Sequence, residues 1–203
     1  MKLYDTARAP NPRRVRIFLA EKGIVVPMEQ VDLGKLEQWS ETFTAINPLQ
    51  QTPSLILDDG TIIAESLAIC RYFEELQPKP ALFGEGALGK ANVEMWQRRV
   101  ELHFFSRVLN VFRHGHPKMA EREKPQIPAF AEANRPKALG FLGLLDGELA
   151  NRPFIAGDDF SVADITALAG VDFMKPAGLA MPEDLPHLAQ WYARVSSRPS
   201  AVP

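Results

Sequence analysis

The stretch that most constrains this chain runs Asn47-Pro48-Leu49-Gln50-Gln51-Thr52-Pro53-Ser54-Leu55-Ile56-Leu57-Asp58-Asp59-Gly60-Thr61-Ile62-Ile63-Ala64-Glu65-Ser66. It reads as a turn, a proline, a short strand, an Asp-Gly hairpin, a second strand and the start of a helix. Proline is the residue type for which a cis bond is accessible. A cis Thr52-Pro53 bond is expected to turn the Thr52 amide and carbonyl outward, where an extended ligand can pair with them as a strand does. Glu65 and Ser66 fall at the N-terminus of the next helix, where unpaired N–H groups and the helix dipole attract an anion. The segment therefore suits a small extended peptide that carries a free carboxylate.

Composition narrows the remaining possibilities. The 203 residues can bury a sizeable core as one large domain or two small ones. A net charge of −2 does not suggest a nucleic-acid partner. No apolar run approaches the roughly 20 residues that span a bilayer, so no membrane association is expected. The one cysteine, Cys70, excludes an internal disulfide and makes a reducing cytoplasm the default location. The 17 prolines mostly separate periodic segments, as in Gln77-Pro78-Lys79-Pro80 and Pro125-Gln126-Ile127-Pro128.

The pattern changes along the chain. The first part alternates: a strand at Lys2-Leu3-Tyr4, a helix over Arg13–Glu21 ending at Gly23, a strand over Val25–Val31 and a short helix at Trp39–Ile46. The hairpin and a helix over Glu65–Leu76 complete a β-α-β-α-β-β-α order, a thioredoxin-like layout for residues 1–77. A linker is expected over 78–87. Beyond it strand signals vanish, and residues 88–203 read as an all-helical bundle. Val93, Trp96, Val100, Phe104, Val108, Val111 and Phe112 mark one long amphipathic helix, and Arg135–Leu149 a second. Ser161-Val162-Ala163-Asp164 has capping-box spacing at the start of a third, and a last helix is expected near Leu185–Ser197.

Taken in order, these residues resemble a cytosolic glutathione transferase over essentially the whole chain. The resemblance rests on Pro10-Asn11-Pro12-Arg13-Arg14-Val15-Arg16-Ile17, Leu19-Ala20-Glu21-Lys22-Gly23-Ile24, Thr52-Pro53-Ser54-Leu55 and Ala64-Glu65-Ser66. Phe154-Ile155-Ala156-Gly157-Asp158 followed by Ser161-Val162-Ala163-Asp164 resembles the family's capping motif. The segment from Arg98 to Pro117 is similar to a bacterial and fungal branch. The resemblance implies a homodimer that binds glutathione as co-substrate, without a metal, and transfers alkyl or aryl groups to its thiol in detoxification.

By the same resemblance, Thr52 pairs through its backbone with the cysteinyl unit, after Pro53. Glu65 takes the γ-glutamyl ammonium and Ser66 its carboxylate. Gln38, Gln51 and Lys35 are candidates for the glycyl carboxylate, although Lys35 and Gln38 are also what a solvated helix offers. Phe104, Arg107 and Val108 are expected along the pocket for a hydrophobic electrophile. The usual activating serine position falls on Ala9, which cannot donate a hydrogen bond, so this is read as an atypical branch. Asn11, whose amide can donate to sulfur, is the first candidate activator, with an ordered water held by His114 and the Thr6 hydroxyl as rivals. Asn11 could equally cap a helix starting at Pro12.

Other readings stay open on the same residues. A glutathione-dependent peroxidase, isomerase or dehalogenase uses the same scaffold, and a non-catalytic glutathione-binding module would tolerate Ala9. His114 and His116 are two apart, but no third ligand clusters with them, so metal binding is not favoured. Arg13, Arg14 and Arg16 are expected on a solvated face of the first helix. Cys70 sits on the apolar face of its helix and is expected to be buried.

Overall fold

Four short strands form one sheet in the order β2-β1-β3-β4: Lys2–Asp5 (β1), Met28–Gln30 (β2), Ser54–Ile56 (β3) and Ile62–Ala64 (β4). The computed structural model describes residues 1–202. Strand β1 runs parallel to β2 and antiparallel to β3, and β3 pairs antiparallel with β4, Leu55 opposite Ile63. The helices of this unit are Pro10–Lys22 (α1), Glu41–Ile46 (α2) and Ser66–Leu76 (α3). The expected β-α-β-α-β-β-α order is the observed one, and the unit is thioredoxin-like. Its core joins Leu3 and Leu55 of the sheet to Val15 and Phe18 of α1 and to Ile69, Cys70 and Phe73 of α3.

Local chemistry explains the boundaries. Helix α1 stops at Gly23, whose φ of 65° places it in the left-handed region. There the Gly23 N–H bonds the Ala20 carbonyl and the Ile24 N–H bonds that of Leu19. Strand β2 is shorter than the Val25–Val31 alternation suggests. Pro27 has no N–H to offer, and its carbonyl accepts from Leu3 before the ladder begins. At the end of α1, Lys22 is enclosed: its Nζ lies 2.5 Å from Glu74 of α3 and 2.8 Å from the Gln77 carbonyl. That ties the ends of both helices to the chain that leaves them.

The chain divides into two units, Met1–Leu82 joined by the tail from Pro199, and Phe83–Arg198. The second begins inside the 78–87 stretch read as a linker, and its first helix starts at Gly86. The tail, read with the helical part, returns to the first unit: Arg13 Nη2 donates to the Ala201 carbonyl at 3.1 Å. The helices of the second unit are Gly86–Val100 (α4), Ser106–Gly115 (α5), Pro128–Leu149 (α6), Val162–Met174 (α7) and Pro186–Ser196 (α8).

The expected long helix spans α4 and α5, but a π-helical turn at Glu101–Phe105 joins them. The wider turn lets consecutive residues Phe104 and Phe105 both point inward, and both are buried. They pack on α7 where it has Gly170. A β-carbon there would sit 2.6 Å from Phe104 Cε1. The capping box at the head of α7 is present, with Ser161 and Asp164 bonding reciprocally. Asp164 also accepts from Ile155 N–H at 2.9 Å and from the Trp191 indole at 2.8 Å, so it locks the preceding loop and α8 to α7. Burial pushes its carboxyl pKa up, against those hydrogen bonds. No helix among the described residues is long and apolar enough to cross a membrane.

Candidate functional site

The candidate cradle begins at the turn before β3. Asn47, 3% exposed, shapes it from within. Its Nδ2 donates to the Gln51 carbonyl at 2.8 Å and to Ser54 Oγ at 3.3 Å, while its Oδ1 accepts from Leu49 N–H at 3.0 Å. The Thr52-Pro53 bond is cis. Thr52 is held by its side chain, whose Oγ1 lies 3.0 Å from Thr6 Oγ1. Its main-chain N–H and C=O find no partner among the described residues. Buried backbone groups are nearly always paired, so this donor and acceptor stand out as unused beside a strand.

The head of α3 lies one hairpin further on. Glu65 has φ 68° and ψ 123°, a conformation that side chains other than glycine adopt rarely. Such strain costs on the order of 1–3 kcal/mol and concentrates at ligand clamps. The Glu65 carboxylate is exposed and has no partner among the described residues. Ser66 opens the helix, 5% exposed, and its hydroxyl likewise bonds to no described residue. No acidic side chain occupies the first turn of α3, so its N–H groups and dipole stay available to an anion. Sequence pattern had no means of showing the strained backbone, because Glu is not a residue expected at positive φ.

At the head of α1, donors are scarce. Ala9 occupies the N-cap without a side-chain bond, and Pro10 and Pro12 have no N–H. The helix starts at Pro10, so Asn11 lies within the first turn and does not cap it. Asn11 Oδ1 accepts from Arg14 Nη1 at 3.2 Å, and Asn11 Nδ2 has no partner among the described residues. Thr6 donates its only hydroxyl hydrogen to the Val31 carbonyl at 3.0 Å and can only accept from Thr52. That removes Thr6 as a donor to a ligand in this arrangement.

The three arginines of α1 do not form a solvated face. Arg14 is 2% exposed. Arg16 Nη1 lies 2.5 Å from the buried Asp5 carboxylate, and its Nη2 donates to the Ala7 carbonyl at 2.7 Å. Gln30 closes the clamp, donating to Asp5 at 2.6 Å and accepting from Ala7 N–H at 2.9 Å. These residues fix the loop that leads into α1, and sequence reasoning missed them. An acidic residue ending an inward-facing strand was the signal that could have found them.

The other predicted residues divide between the units. Gln38 is 2% exposed, and its buried Oε1 has no partner among the described residues. Gln51 is exposed, while Lys35 is solvated beside Asp32. In the helical unit, Phe104 and Val108 are fully buried, and Arg107 donates to Asn134 Oδ1 at 3.1 Å. His114 Nδ1 accepts from Ile127 N–H at 3.2 Å, so the neutral ring carries its proton on Nε2, 3.7 Å from Glu123. Burial pushes the Cys70 thiol up to about 12, which leaves it inert. No cluster of three metal-ligating side chains occurs among the described residues.

Comparison with known proteins points the same way over both units. The family description "Glutathione S-transferase, N-terminal domain" matches residues 9–76, and "Glutathione S-transferase, C-terminal domain" matches residues 110–199. The chain is 40% identical over 203 residues to Glutathione S-transferase 2 of Saccharomyces cerevisiae, covering 98% of this chain and 87% of that one. The crystal structure of Gtt2 from the same yeast superposes with a TM-score of 0.94 at 40% identity, over 98% of each chain. A glutathione S-transferase domain-containing protein from Marinobacter aquaeolei VT8 gives a TM-score of 0.95 at 39% identity, over 98% of this chain and 99% of that one.

Proposed function

Because this chain belongs to the glutathione S-transferase family, we propose that it binds reduced glutathione as the thiolate and transfers the thiolate to an apolar electrophile. The observation that carries the reading is the head of α3. A strained Glu65, an unpartnered Ser66 hydroxyl and open helix N–H groups stand side by side there. A free amino acid end needs that combination: a carboxylate for its ammonium and donors for its carboxylate. Glu65 takes the γ-glutamyl ammonium and Ser66 with the helix takes the carboxylate. The Thr52 main chain, set by Pro53, pairs with the cysteinyl unit. Gln38 and Gln51 receive the glycyl carboxylate.

The sulfur then needs a donor. A thiol ionises near 8.5, and lowering that by about two units requires roughly 2.7 kcal/mol. One hydrogen bond to a charged group supplies about 1.5–3 kcal/mol. The head of α1 adds about 0.3–1 kcal/mol. Asn11 with the helix therefore suffices for an atypical branch without a serine, tyrosine or cysteine activator. His114, whose Nδ1 is occupied, would act only through its Nε2–H on a water. The thiol proton leaves to solvent, the sulfur forms a bond to carbon, and a leaving group departs or the adduct takes up a proton. The helical unit supplies the surface for the electrophile around Arg107, with Phe104 and Val108 packed beneath. Work as a homodimer in a reducing cytoplasm belongs to the same proposal.

Ultraviolet absorbance of the bound thiolate, followed against pH, tests the reading together with conjugation of a chloro-nitroaromatic. A bound thiol ionising well below its free value, with turnover, is expected. Glutathione binding without either would leave a binding module.

A further inference from the structure

We propose that Arg14 is a positioning residue for the thiol, acting through Asn11: its guanidinium holds Asn11 Oδ1 and so leaves the Nδ2 hydrogens to face the sulfur. This rests on the glutathione reading above and assigns a residue that the reading does not use. A side-chain carboxamide has two faces of opposite sign, related by a half turn about its last torsion. With Nδ2 toward a thiolate it donates; with Oδ1 there it repels. Arg14 Nη1, 3.2 Å from Oδ1, breaks that symmetry, because a guanidinium can only donate. A hydrogen bond to a charged group favours one face over the other by on the order of ten- to a hundredfold. Withdrawing electrons at Oδ1 also strengthens the N–H groups at the other end.

The surroundings make this orientation matter. Near the head of α1 side-chain donors are scarce: Ala9 has no hydroxyl and the Thr6 hydrogen is committed to Val31, while Pro10 and Pro12 offer no N–H. Arg14 is itself immobilised, 2% exposed on the face of α1 that packs against α3. It lies close enough to Cys70 for its charge to act on that thiol. A buried arginine three residues along a helix from an asparagine reaches back over one turn to it, while an exposed arginine would spend that bond on water.

The test compares the ionisation of bound glutathione, by ultraviolet thiolate absorbance, in the wild type, Asn11→Ala, Arg14→Met and the double variant. Each single variant is expected to raise the thiol pKa by about one unit, a tenfold loss of thiolate at limiting pH. The double variant should match Asn11→Ala, because Arg14 has nothing left to orient. Turnover should fall while the glutathione KM stays near the wild-type value. An Arg14→Met titration like the wild type's overturns the proposal, and so does an Arg14 effect that persists undiminished without Asn11. Should Arg14→Met fail to fold, Asn11→Asp decides: it keeps the Arg14 partner but removes the NH2, so the thiol pKa must rise at least as far as in Asn11→Ala. A wild type that binds no glutathione by calorimetry sinks both readings, whereas a low wild-type thiol pKa shared by the Arg14 variants sinks only this one.

Discussion

Gly170→Ala tests the packing of the helical unit, where a substitution that normally favours a helix should do harm. Replacing glycine by alanine inside a helix gains about 0.8–1.0 kcal/mol in propensity. Here the new methyl would stand 2.6 Å from Phe104 Cε1, 3.2 Å from its Cδ1 and 3.3 Å from Phe105 Cδ2. Both rings are buried and held by the π-helical turn, so neither can swing into solvent. Overpacking of this kind costs about 1–3 kcal/mol, which leaves a net loss of up to about 2 kcal/mol. For a chain of this size each kcal/mol moves the thermal midpoint by about 2–4 °C. The assay is urea unfolding followed by far-ultraviolet circular dichroism, repeated in a Phe104→Leu background. Without the ring the penalty should vanish and Gly170→Ala should stabilise by up to about 1 kcal/mol. A single variant at least as stable as the wild type, or an equal effect in both backgrounds, would refute the claim that the π-turn phenylalanines require glycine at 170.

Three further outcomes follow from the same physical reasoning. Ser66→Ala removes one donor to the ligand carboxylate and should weaken glutathione binding about 10- to 150-fold by calorimetry, for a loss of about 1.5–3 kcal/mol. Lys22→Met removes the ammonium that lies 2.5 Å from the buried Glu74 carboxylate and should cost about 3–5 kcal/mol in urea unfolding, with much of it recovered in Lys22→Met/Glu74→Leu. Cys70, its thiol pushed up to about 12 by burial, should resist a thiol-specific disulfide reagent at pH 8 in the native protein and react fully once denaturant is added. Rapid native labelling would mean that α3 is not packed on α1 as described.

The legible parts of the fold were those set by residue type at fixed spacing. Asp59-Gly60 marks the hairpin, Gly23 the end of α1, and the Ser161–Asp164 interval the head of α7, each through local chemistry that needs no tertiary partner. The burial of Cys70 followed from its place on an apolar helix face. What stayed hidden depends on three-dimensional neighbours. Arg14 and Arg16 looked like solvated charge, yet Arg14 is 2% exposed and bonds Asn11, and Arg16 pairs with the buried Asp5. The π turn at Glu101–Phe105 leaves the apolar spacing nearly unchanged, so periodicity does not separate it from an ordinary helix. Glu65 at positive φ contradicts propensity altogether, and such contradictions collect where a fold trades backbone comfort for a ligand.

In the proposed complex the head of α3 holds the amino acid end of glutathione. Calorimetric titration with glutathione, set against the dipeptide cysteinylglycine, asks that question directly, since the dipeptide keeps the thiol and glycyl carboxylate but lacks the γ-glutamyl group. The expected result is measurable binding of glutathione and a loss of at least about tenfold for the dipeptide, one hydrogen bond to a charged group being worth about that much. Equal affinity for the two, or no heat with either at millimolar concentration, would contradict it.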